Sequence, residues 1–414
     1  MTHSTQGLRI VALLENNPYP EDPRVRPHMQ ALSEAGYQVT VICPRAKGQL
    51  SYEMVNNVRV YRIKLPMVGT RAINYFIEYI YATIAFTFLT LWVWIRHGMD
   101  VLHIFNPPDS LFIPGLLPKL AGKKIVYDLR DLSPELYLSK FKAGPRICYS
   151  ILVWLERMAC KLADYIIVVN EPYRQLVLTR DGIPESRVSI IRQGPDLSSF
   201  VPGQTDPDLR ARAKIILTYL GQISSQDGVE HLIRALHHLD HDFGYTDWLC
   251  VIIGRSDTPG MLEELADKLG VSDRIDWTGY LPNEKWIPIL QTADIGVEPS
   301  PVNPLNTVST MNKLMDYMAA GEPSVAYDLA EHHVSAGDSA LYAIPDDEID
   351  LARQMHRLIK DPELRASMGQ VGRRRIEQWL GWAYQKEKLL AVYASQVWPV
   401  RGVGAVGNQV NKKP

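Results

Sequence analysis

The sequence contains few cysteines, and none of them are spaced as pairs. Four occur among 414 residues, Cys43, Cys148, Cys160 and Cys250, and no two of them form a C-x-x-C motif. Disulfide frameworks and cysteine-based zinc sites need closely spaced thiols, so neither is expected. The amino-terminal MTHSTQG also lacks the basic and apolar regions of an export signal. We therefore expect buried thiols in a reducing, cytoplasmic protein.

A surplus of positive charge is missing as well. The chain has 44 Lys and Arg against 46 Asp and Glu, a formal net charge of −2, which argues against a general nucleic-acid-binding protein. Two acidic doublets, Asp206 with Asp208 and Asp240 with Asp242, lie in turn-rich segments. We expect both doublets to be solvated turns, and the sequence predicts no metal site.

No G-x-G-x-x-G motif follows the first predicted strand, where the chain has ENNPYPEDP from Glu15 onwards. Dinucleotide-dependent oxidoreductases use those glycines to bring the backbone close to a pyrophosphate. That class of enzyme is therefore disfavoured.

Short β-type runs alternate with helical segments in both halves of the chain. Apolar strands separated by helices are typical of parallel sheets covered on both faces, and 414 residues suit two domains better than one core. We predict an α/β fold with two doubly wound, Rossmann-like domains facing a central cleft. The predicted strands begin at Leu8, Tyr37, Val58, Asp100, Lys124 and Asp164 in the first half and at Ile215, Trp248, Arg274, Asp294 and Ser324 in the second.

The domain boundary is predicted in DLSSFVPGQTDPDLR, a segment rich in Pro, Ser and Asp. We assign residues 1–200 to the first domain and residues 201–380 to the second. A helix in residues 381–398, after a break near Leu380, is expected to pack back on the first domain. Residues 399–414 have no periodicity and are predicted to be disordered.

One long uncharged segment extends from Tyr79 to Ile95. As a helix it would be about 26 Å long, short of the ~30 Å core of a bilayer. It also lies between two predicted strands of one sheet, which a membrane crossing would separate. Two alternatives remain: a crossover helix buried inside its domain, or a helix over residues 73–95 whose outer face docks on a membrane surface.

Residues 293–328 are the most informative about function. A predicted strand, 295–297, leads into a polar loop and then into a helix predicted to begin at about Thr310. Ser309 or Thr310 would cap that helix, leaving the amides of its first turn free to bind an anion.

The first residues of this helix add charge and hydroxyl-binding groups. The free amides would belong to Met311, Asn312 and Lys313, with the Lys313 ammonium beside them, and Asp316 would accept hydrogen bonds from hydroxyl groups one turn further on. This combination suits a nucleoside diphosphate. The alternative is a capped core helix with a surface lysine.

Six segments carry a resemblance to a known family. They are VICPRAKG, NPPD at Asn106, DLRDLSPELY from Asp128, IRQGPDLSSF, LGQISSQDGVEHLIRAL and MNKLMDYMAAGEP. Across about residues 8–397 the chain resembles the family 4 glycosyltransferases of the GT-B fold. The resemblance implies transfer of a sugar from a UDP- or GDP-type donor, retention of the anomeric configuration, and no metal or other cofactor. It also implies that the first domain binds the acceptor and the second domain the donor.

The resemblance assigns roles to individual residues. Asp316 occupies the position of the glutamate that binds the ribose hydroxyls, Tyr280 that of the backbone contact with the base, and Arg24 lies near a loop that faces the phosphates. The predicted donor-binding residues are Asp316, Asn312, Met311, Thr310, Ser309, Tyr280, Asn306 and Gly221, and the predicted catalytic residues are Lys313, Arg24 and Asn106.

Four positions depart from the family pattern. The first of the family's two glutamates falls on Val308, the usual Arg and Lys fall on Gln222 and Asp227, and a histidine near the sugar falls on Phe105. A related branch, with a loop like NPLNxVST, shares several of these changes. Phosphate charge would then be stabilised by Arg24, Lys313 and the helix dipole.

Two asparagines offer a replacement for the missing glutamate. The amides of Asn303 and Asn306 lie in the loop that contains Val308 and could hydrogen-bond the sugar, although asparagines in loops also form turns. In the first domain, Asn106 follows a strand and is predicted to contact the sugar, whereas His103 is predicted to be a hydrogen-bonded core histidine.

The acceptor is expected to contact the segment after the strand KIVYD. Arg130, Asp131 and Glu135 are the polar candidates there, and the alternative is a set of ordinary acids at a helix start. We expect a cytoplasmic enzyme, peripheral to the inner membrane, that adds a sugar to a glycan or lipid-linked acceptor of the cell surface. A catalytically inactive partner with the same fold is the alternative.

Overall fold

An eight-stranded sheet forms the first half of the molecule in the computed structural model, which describes residues 7–65, 72–141, 144–256 and 260–397. The spatial order is β3-β4-β2-β1-β5-β6-β7-β8, and every neighbouring pair is parallel except the β3–β4 hairpin. The strands are β1 (Arg9–Leu13), β2 (Gln38–Pro44), β3 (Tyr52–Val55), β4 (Val58–Ile63), β5 (Val101–Phe105), β6 (Lys124–Leu129), β7 (Tyr165–Val168) and β8 (Val188–Ile190).

A six-stranded, fully parallel sheet forms the second half. Its order is β11-β10-β9-β12-β13-β14. The strands are β9 (Ile215–Leu220), β10 (Trp248–Ile253), β11 (Ile275–Gly279), β12 (Ile295–Glu298), β13 (Ser324–Tyr327) and β14 (Ala340–Ala343).

Helices connect these strands and cover both faces of each sheet. They are α1 (Val25–Glu34), α2 (Ala72–His97), α3 (Leu116–Leu120), α4 (Ser133–Lys140), α5 (Arg146–Leu162), α6 (Glu171–Thr179), α7 (Pro207–Arg210), α8 (Val229–His241), α9 (Met261–Lys268), α10 (Asn283–Thr292), α11 (Asn312–Ala320), α12 (Ala330–Ala336), α13 (Glu348–Lys360), α14 (Pro362–Arg375) and α15 (Trp382–Val392). A 3-10 helix, Asp109–Gly115, precedes α3.

Each sheet therefore lies between two apolar layers, as the alternation of apolar strands and helices predicted. In the first domain, α1 and α15 cover one face, while α2, the 3-10 helix, α5 and α6 cover the other. In the second domain, α8 and α13 cover one face and α10 and α11 the other. The predicted fold of two doubly wound domains is confirmed.

The carboxyl-terminal helix returns to the first domain, as expected for residues 381–398. The Tyr393 hydroxyl lies 2.6 Å from His103 Nδ1, and the Trp382 ring stacks on His28 at a centroid distance of 5.4 Å. His103 is completely buried, so its predicted role as a core histidine is confirmed. The tail predicted over residues 399–414 lies outside the described residues, and the exact domain bounds stay predictions.

Helix α2 runs along the surface of the first domain and connects β4 with β5 of one sheet. It is the one helix of the described residues that is long and apolar enough to cross a membrane, but only 28% of its most apolar window is buried. Because both flanking strands belong to the same sheet, α2 cannot cross a bilayer without dismantling that sheet. A buried crossover helix, one of the two alternatives, does not fit this exposure.

The strand order reverses at two places that fix the location of a site. These are the boundary between β1 and β5 in the first sheet and the boundary between β9 and β12 in the second. Open parallel sheets bind ligands beyond the carboxyl ends of their strands at such boundaries. Glu15, Asn106, Gly221 and Ser300 lie in the segments that leave these four strands.

Candidate functional site

The start of α11 differs from the prediction. The helix begins at Asn312, two residues later than expected, and Met311 is its N-cap with no side-chain cap hydrogen bond. The Ser309 hydroxyl lies 3.3 Å from that of Tyr173, and the Thr310 hydroxyl accepts a hydrogen bond from Asn170 at 3.0 Å. Neither of the predicted caps closes the helix, because contacts with the first domain hold both hydroxyls. The first-turn amides are thus left uncapped, beside an exposed Asn312.

Lys313 is not the free cation that the sequence suggested. Its side chain is 8% exposed, and Nζ lies 2.8 Å from the completely buried carboxylate of Glu298. Nζ also donates to the Tyr219 hydroxyl at 3.3 Å. Burial alone would lower the pKa of Lys313, but the carboxylates of Glu298 and Asp227 raise it above its ordinary value. The lysine therefore stays protonated, and the negative charge of the Glu298 carboxylate already balances its positive charge.

Gly221 allows this pair to form at the boundary between β9 and β12. A Cβ at position 221 would lie 3.1 Å from Lys313 Cε, and the residue has φ +147°, a conformation that favours glycine. The structure therefore brings together two of the predicted residues, Gly221 and Lys313, beside the amino end of α11.

Asp316 lies on α11, one turn after its start. The side chain is half-buried, and it has no hydrogen bond or ion pair with the residues that the structure describes. Burial raises the pKa of Asp316 to about 7. A partly buried acid without a partner is expected to gain stabilisation from a hydroxyl donor. A ribose contact by this residue stays a prediction.

Two other predicted donor residues differ in accessibility: Tyr280 is exposed, and the amide nitrogen of Asn306 is already hydrogen-bonded. Tyr280 is 70% exposed, with the Arg255 guanidinium 5.7 Å from its ring centre. Asn306 is buried, and its amide donates to the carbonyls of Gln226 and Pro301, both at 2.8 Å. The amide nitrogen of Asn306 is thus used by the loop backbone, which favours the alternative of a turn-forming asparagine, and a sugar contact by Asn306 stays a prediction.

The loop that precedes α11 is anchored to the first domain. Leu305 and Val308 pack against the apolar layer under α2 and α5, and the Val308 carbonyl accepts from Asn170 at 2.8 Å. Asn303 Oδ1 accepts from Ser139 at 3.1 Å and from the Leu305 amide at 2.9 Å, so Asn303 is also a turn former. Position 308 therefore serves as an apolar contact between the domains.

Arg24 lies inside the first domain rather than facing phosphates. It is 2% exposed, Nε and Nη2 donate to Asp128 at 3.0 and 2.8 Å, and Nη1 donates to the Ile191 carbonyl at 3.0 Å. Burial alone would raise the pKa of Asp128, but the Arg24 guanidinium and the imidazoles of His103 and His28 lower it well below its usual range. A phosphate contact by Arg24 is contradicted, since the hydrogen bonds of its guanidinium serve the fold.

Asn106 joins the loops that follow β5 and β6 of the first domain. Its Oδ1 accepts from the amides of Arg130 and Asp131 at 2.6 and 3.2 Å, and its Nδ2 donates to Asp109 and to the Asp131 carbonyl at 2.9 and 2.6 Å. The side chain is completely buried. The predicted sugar contact is contradicted, because all of these bonds join the loops after β5 and β6.

The three predicted acceptor-binding residues have different surroundings. Arg130 pairs with Asp22 at 2.9 Å, and Glu135 pairs with Arg180 at 2.5 Å. The half-buried carboxylate of Asp131 has no hydrogen bond within the described part of the chain, and burial raises its pKa. Asp131 is therefore the member of this group best placed to accept from a hydroxyl group.

Sequence reasoning missed three charged residues near the cleft. Glu298 ends β12, and an acid at the end of an apolar strand was a usable signal. Arg192 lies in the linker segment IRQGPD, where it pairs with Glu331 at 2.5 Å and donates to Thr310 at 3.3 Å. Glu15 follows β1 with 5% exposure, and burial, with a contribution from Glu78, raises its pKa to about 7.

The acidic doublets have structural roles. Asp206 caps α7 through the Leu209 amide at 3.0 Å, and Asp240 accepts from Trp248 at 2.7 Å and pairs with Arg274. Within residues 7–65, 72–141, 144–256 and 260–397, no group of three His, Cys, Asp or Glu side chains is arranged to hold a metal ion.

Comparison with known proteins supports the arrangement of both domains. Residues 22–194 match the family model "Glycosyl transferase 4-like domain", and residues 214–361 match "Glycosyl transferases group 1". The α-maltose-1-phosphate synthase of Mycolicibacterium smegmatis is 28% identical over 271 residues, which cover 59% of this chain and 66% of that protein. The aligned part thus spans just under two thirds of that relative.

Two solved structures share the fold. Sucrose-phosphate synthase from Thermosynechococcus elongatus superposes with a TM-score of 0.76 at 17% identity, covering 93% of this chain and 98% of that one. The Anabaena protein HepE, solved with UDP, superposes with a TM-score of 0.70 at 14% identity, covering 93% of this chain and 99% of that one. At this level of identity, the likeness concerns the fold alone.

Proposed function

Because this chain belongs to the family 4 glycosyltransferases of the GT-B fold, we propose that it transfers a sugar from a nucleotide diphosphate sugar to a glycan or lipid-linked acceptor. The donor is of the UDP or GDP type, the anomeric configuration is retained, and no metal ion takes part. The product belongs to a cell-surface polysaccharide or glycolipid, and the reaction occurs in the cytoplasm.

One observation carries the proposal: the unpartnered acid Asp316 lies one turn from the uncapped start of α11. The amides there point toward a position where an anion would be stabilised, and Gly221 lets α11 come close to the end of β9. A ribose that donates its hydroxyls to Asp316 would place its diphosphate at those amides. Tyr280, exposed after β11, would lie on the side of the base.

The chemistry of transfer requires stabilisation of negative charge on the departing diphosphate. In the proposed reaction, the bond between the anomeric carbon and the β-phosphate oxygen breaks, and the acceptor oxygen bonds to the same face of that carbon. The acceptor proton passes to the leaving phosphate, so no separate base is needed. The amides of Asn312 and Lys313 would stabilise the diphosphate, and Asp131 would orient the acceptor.

Calorimetry with UDP and GDP tests the donor site. Asp316→Asn should weaken binding of the preferred nucleotide by roughly 10- to 100-fold, the magnitude expected for hydrogen bonds to a charged group. The matched control is Asp273→Asn, because Asp273 is an exposed acid of the same domain with 79% side-chain exposure. Equal affinities for wild type and Asp316→Asn would refute the ribose contact. NMR of the product would show the anomeric configuration.

A second candidate is a catalytically inactive partner that keeps the nucleotide pocket. It is supported by the neutralised Lys313 and by the apolar contact at Val308, where many members place a glutamate. Nucleotide binding without sugar transfer or donor hydrolysis, across glycan and lipid-linked acceptors, would favour this alternative.

A further inference from the structure

Exposed apolar side chains line one outer side of the first domain. On α2, the side chains that point into the domain are spaced at helical intervals, with Ala82, Phe86, Thr90 and Val93 all buried. The opposite side of the same helix carries the exposed side chains Ile77, Ile80, Tyr81, Ile84, Phe88, Trp92 and Ile95. Phe88 and Ile95 are 72% and 86% exposed, so α2 presents one apolar side to its domain and another to the outside.

Two neighbouring elements extend this face. The 3-10 helix Asp109–Gly115 contacts both α2 and α5, and it continues directly into α3. Together, the 3-10 helix, α3 and α5 expose Ile113, Leu116, Leu117, Leu120, Ile147, Ile151 and Trp154. We call the exposed side of α2, the 3-10 helix, α3 and α5 the outer face. Soluble monomers rarely expose a contiguous apolar area of this kind without a partner.

The charges of the outer face have one sign. Its elements contain three described acids, of which Asp109 and Glu156 are buried and Glu78 is half-buried near Glu15. The exposed cations at its edges have no ion pair with any residue in the described ranges. They are Arg96 at the end of α2, Arg146 at the start of α5 and Lys161, which follows Ile147, Ile151 and Trp154 along one side of α5. This charge pattern is complementary to an anionic surface.

We propose that the outer face binds a lipid bilayer that contains anionic headgroups. The apolar side chains of α2, α3 and α5 enter the boundary between headgroups and acyl chains, the rings of Tyr81, Trp92 and Trp154 lie at the level of the headgroups, and Arg96, Arg146 and Lys161 pair with phosphates. A helix of 26 residues with one exposed apolar side lies flat in such an interface.

The 3-10 helix connects the outer face to the end of β5, where the proposed acceptor site begins. This 3-10 helix begins at Asp109, four residues after β5 ends at Phe105, and the loop between them contains Asn106. Binding to the bilayer follows from the outer face itself, whereas its use, bringing a lipid-linked acceptor to the cleft, rests on the proposed function.

Co-sedimentation with vesicles tests the proposal in the absence of donor and acceptor. The full chain is expected to bind phosphatidylcholine vesicles that contain phosphatidylglycerol, more tightly than phosphatidylcholine alone. Ile84→Glu/Phe88→Glu should reduce this binding at least tenfold, because the two substitutions replace exposed apolar side chains, which would leave water on binding, with charged ones. The matched control is Met261→Glu/Ile344→Glu, which places the same charges at exposed apolar positions of the second domain.

A separate variant tests the charges. Arg146→Glu/Lys161→Glu should abolish the preference for phosphatidylglycerol while retaining weak binding to neutral vesicles.

Circular dichroism checks that each variant is folded, and transfer to a water-soluble acceptor should be unchanged in Ile84→Glu/Phe88→Glu. Failure of transfer in the wild type would count against the proposed function but not against the vesicle result.

Three outcomes would overturn the proposal. The first is wild-type protein that binds neither kind of vesicle, and the second is Ile84→Glu/Phe88→Glu protein that binds as the wild type does. The third is a dimer in analytical ultracentrifugation that Ile84→Glu/Phe88→Glu dissociates, without vesicle binding, since the outer face would then be an interface between copies of this chain.

Discussion

The Lys313 ammonium lies 2.8 Å from the buried carboxylate of Glu298, beneath the amino end of α11. The pair links α11 to the end of β12 at the place where the strand order of the second sheet reverses. A lysine held in this way contributes a fixed charge beside a proposed diphosphate site, although a carboxylate already offsets that charge. Lys313 therefore contributes to the stability of the fold, and its role in turnover stays a prediction.

Replacing Lys313 should affect both properties. Lys313→Ala leaves Glu298 buried without its partner, which typically costs about 3–5 kcal/mol of unfolding free energy. Lys313→Met/Glu298→Gln removes both charges and should recover most of that stability, while turnover stays roughly 100-fold below wild type if Lys313 stabilises the leaving phosphate. Urea denaturation and initial-rate assays measure the two quantities. A double variant with full turnover would remove Lys313 from the mechanism.

Asp316 should make stability depend on pH in an identifiable window. Its pKa is about 7 in the folded chain and about 4 in an unfolded one, so the folded state binds more protons between these values. The contribution of Asp316 to stability therefore falls as pH rises from about 4 to about 7 and is constant above that. Asp316→Asn should gain stability relative to wild type across this window. A difference in melting temperature between the two proteins that stays constant from pH 5 to pH 8, to within about a degree, would contradict the assignment.

Arg24 should stabilise the first domain without contributing to nucleotide binding. Arg24→Met leaves Asp128 buried without its guanidinium partner, so we expect a loss of about 3–5 kcal/mol. Because the pKa of Asp128 is depressed in the fold, its contribution is present above the unfolded value near about 4 and is lost as pH falls through the folded value. The Arg24→Met variant should lack this acid-sensitive contribution to the free energy of unfolding. Arg26→Met is the control, since Arg26 is exposed in the first turn of α1, which Arg24 precedes. A weakened nucleotide affinity in folded Arg24→Met would restore the phosphate role.

Restoring the family's glutamate at position 308 should harm the protein. Val308→Glu places a carboxylate against the apolar layer of the first domain, and we expect a loss of several kcal/mol together with loosening of the loop. Val302→Glu is the control in the same loop, because Val302 is 46% exposed. Thermal unfolding and activity assays measure both effects. Increased turnover in Val308→Glu would mean that the loop adopts the family's usual arrangement after all.

The local pattern of apolar and polar residues was sufficient to predict most of the fold. The long apolar strands of both sheets were predicted because they are buried on both faces and separated by helices. Strands β3, β8 and β14 were not predicted, since each is a short edge strand whose residues are largely exposed or half-buried and so lack a continuous apolar run. The start of α11 was misplaced because the hydroxyls of Ser309 and Thr310 bond to the other domain, a competition that no local rule reveals.

The sequence by itself determined two doubly wound domains, the returning carboxyl-terminal helix and the segment 293–328 that contains Lys313 and Asp316, because apolar periodicity and helix-end chemistry are local. Only the tertiary structure decided which charged side chains remain available. Arg24 and Lys313 form ion pairs with Asp128 and Glu298, and Asn106 is hydrogen-bonded to the loops around it. Asp316 and the outer side of α2 have no such partner among the described residues. The physical reason is that a charge or amide is satisfied by whichever groups lie nearest in space, and those partners are up to about a hundred residues away along the chain.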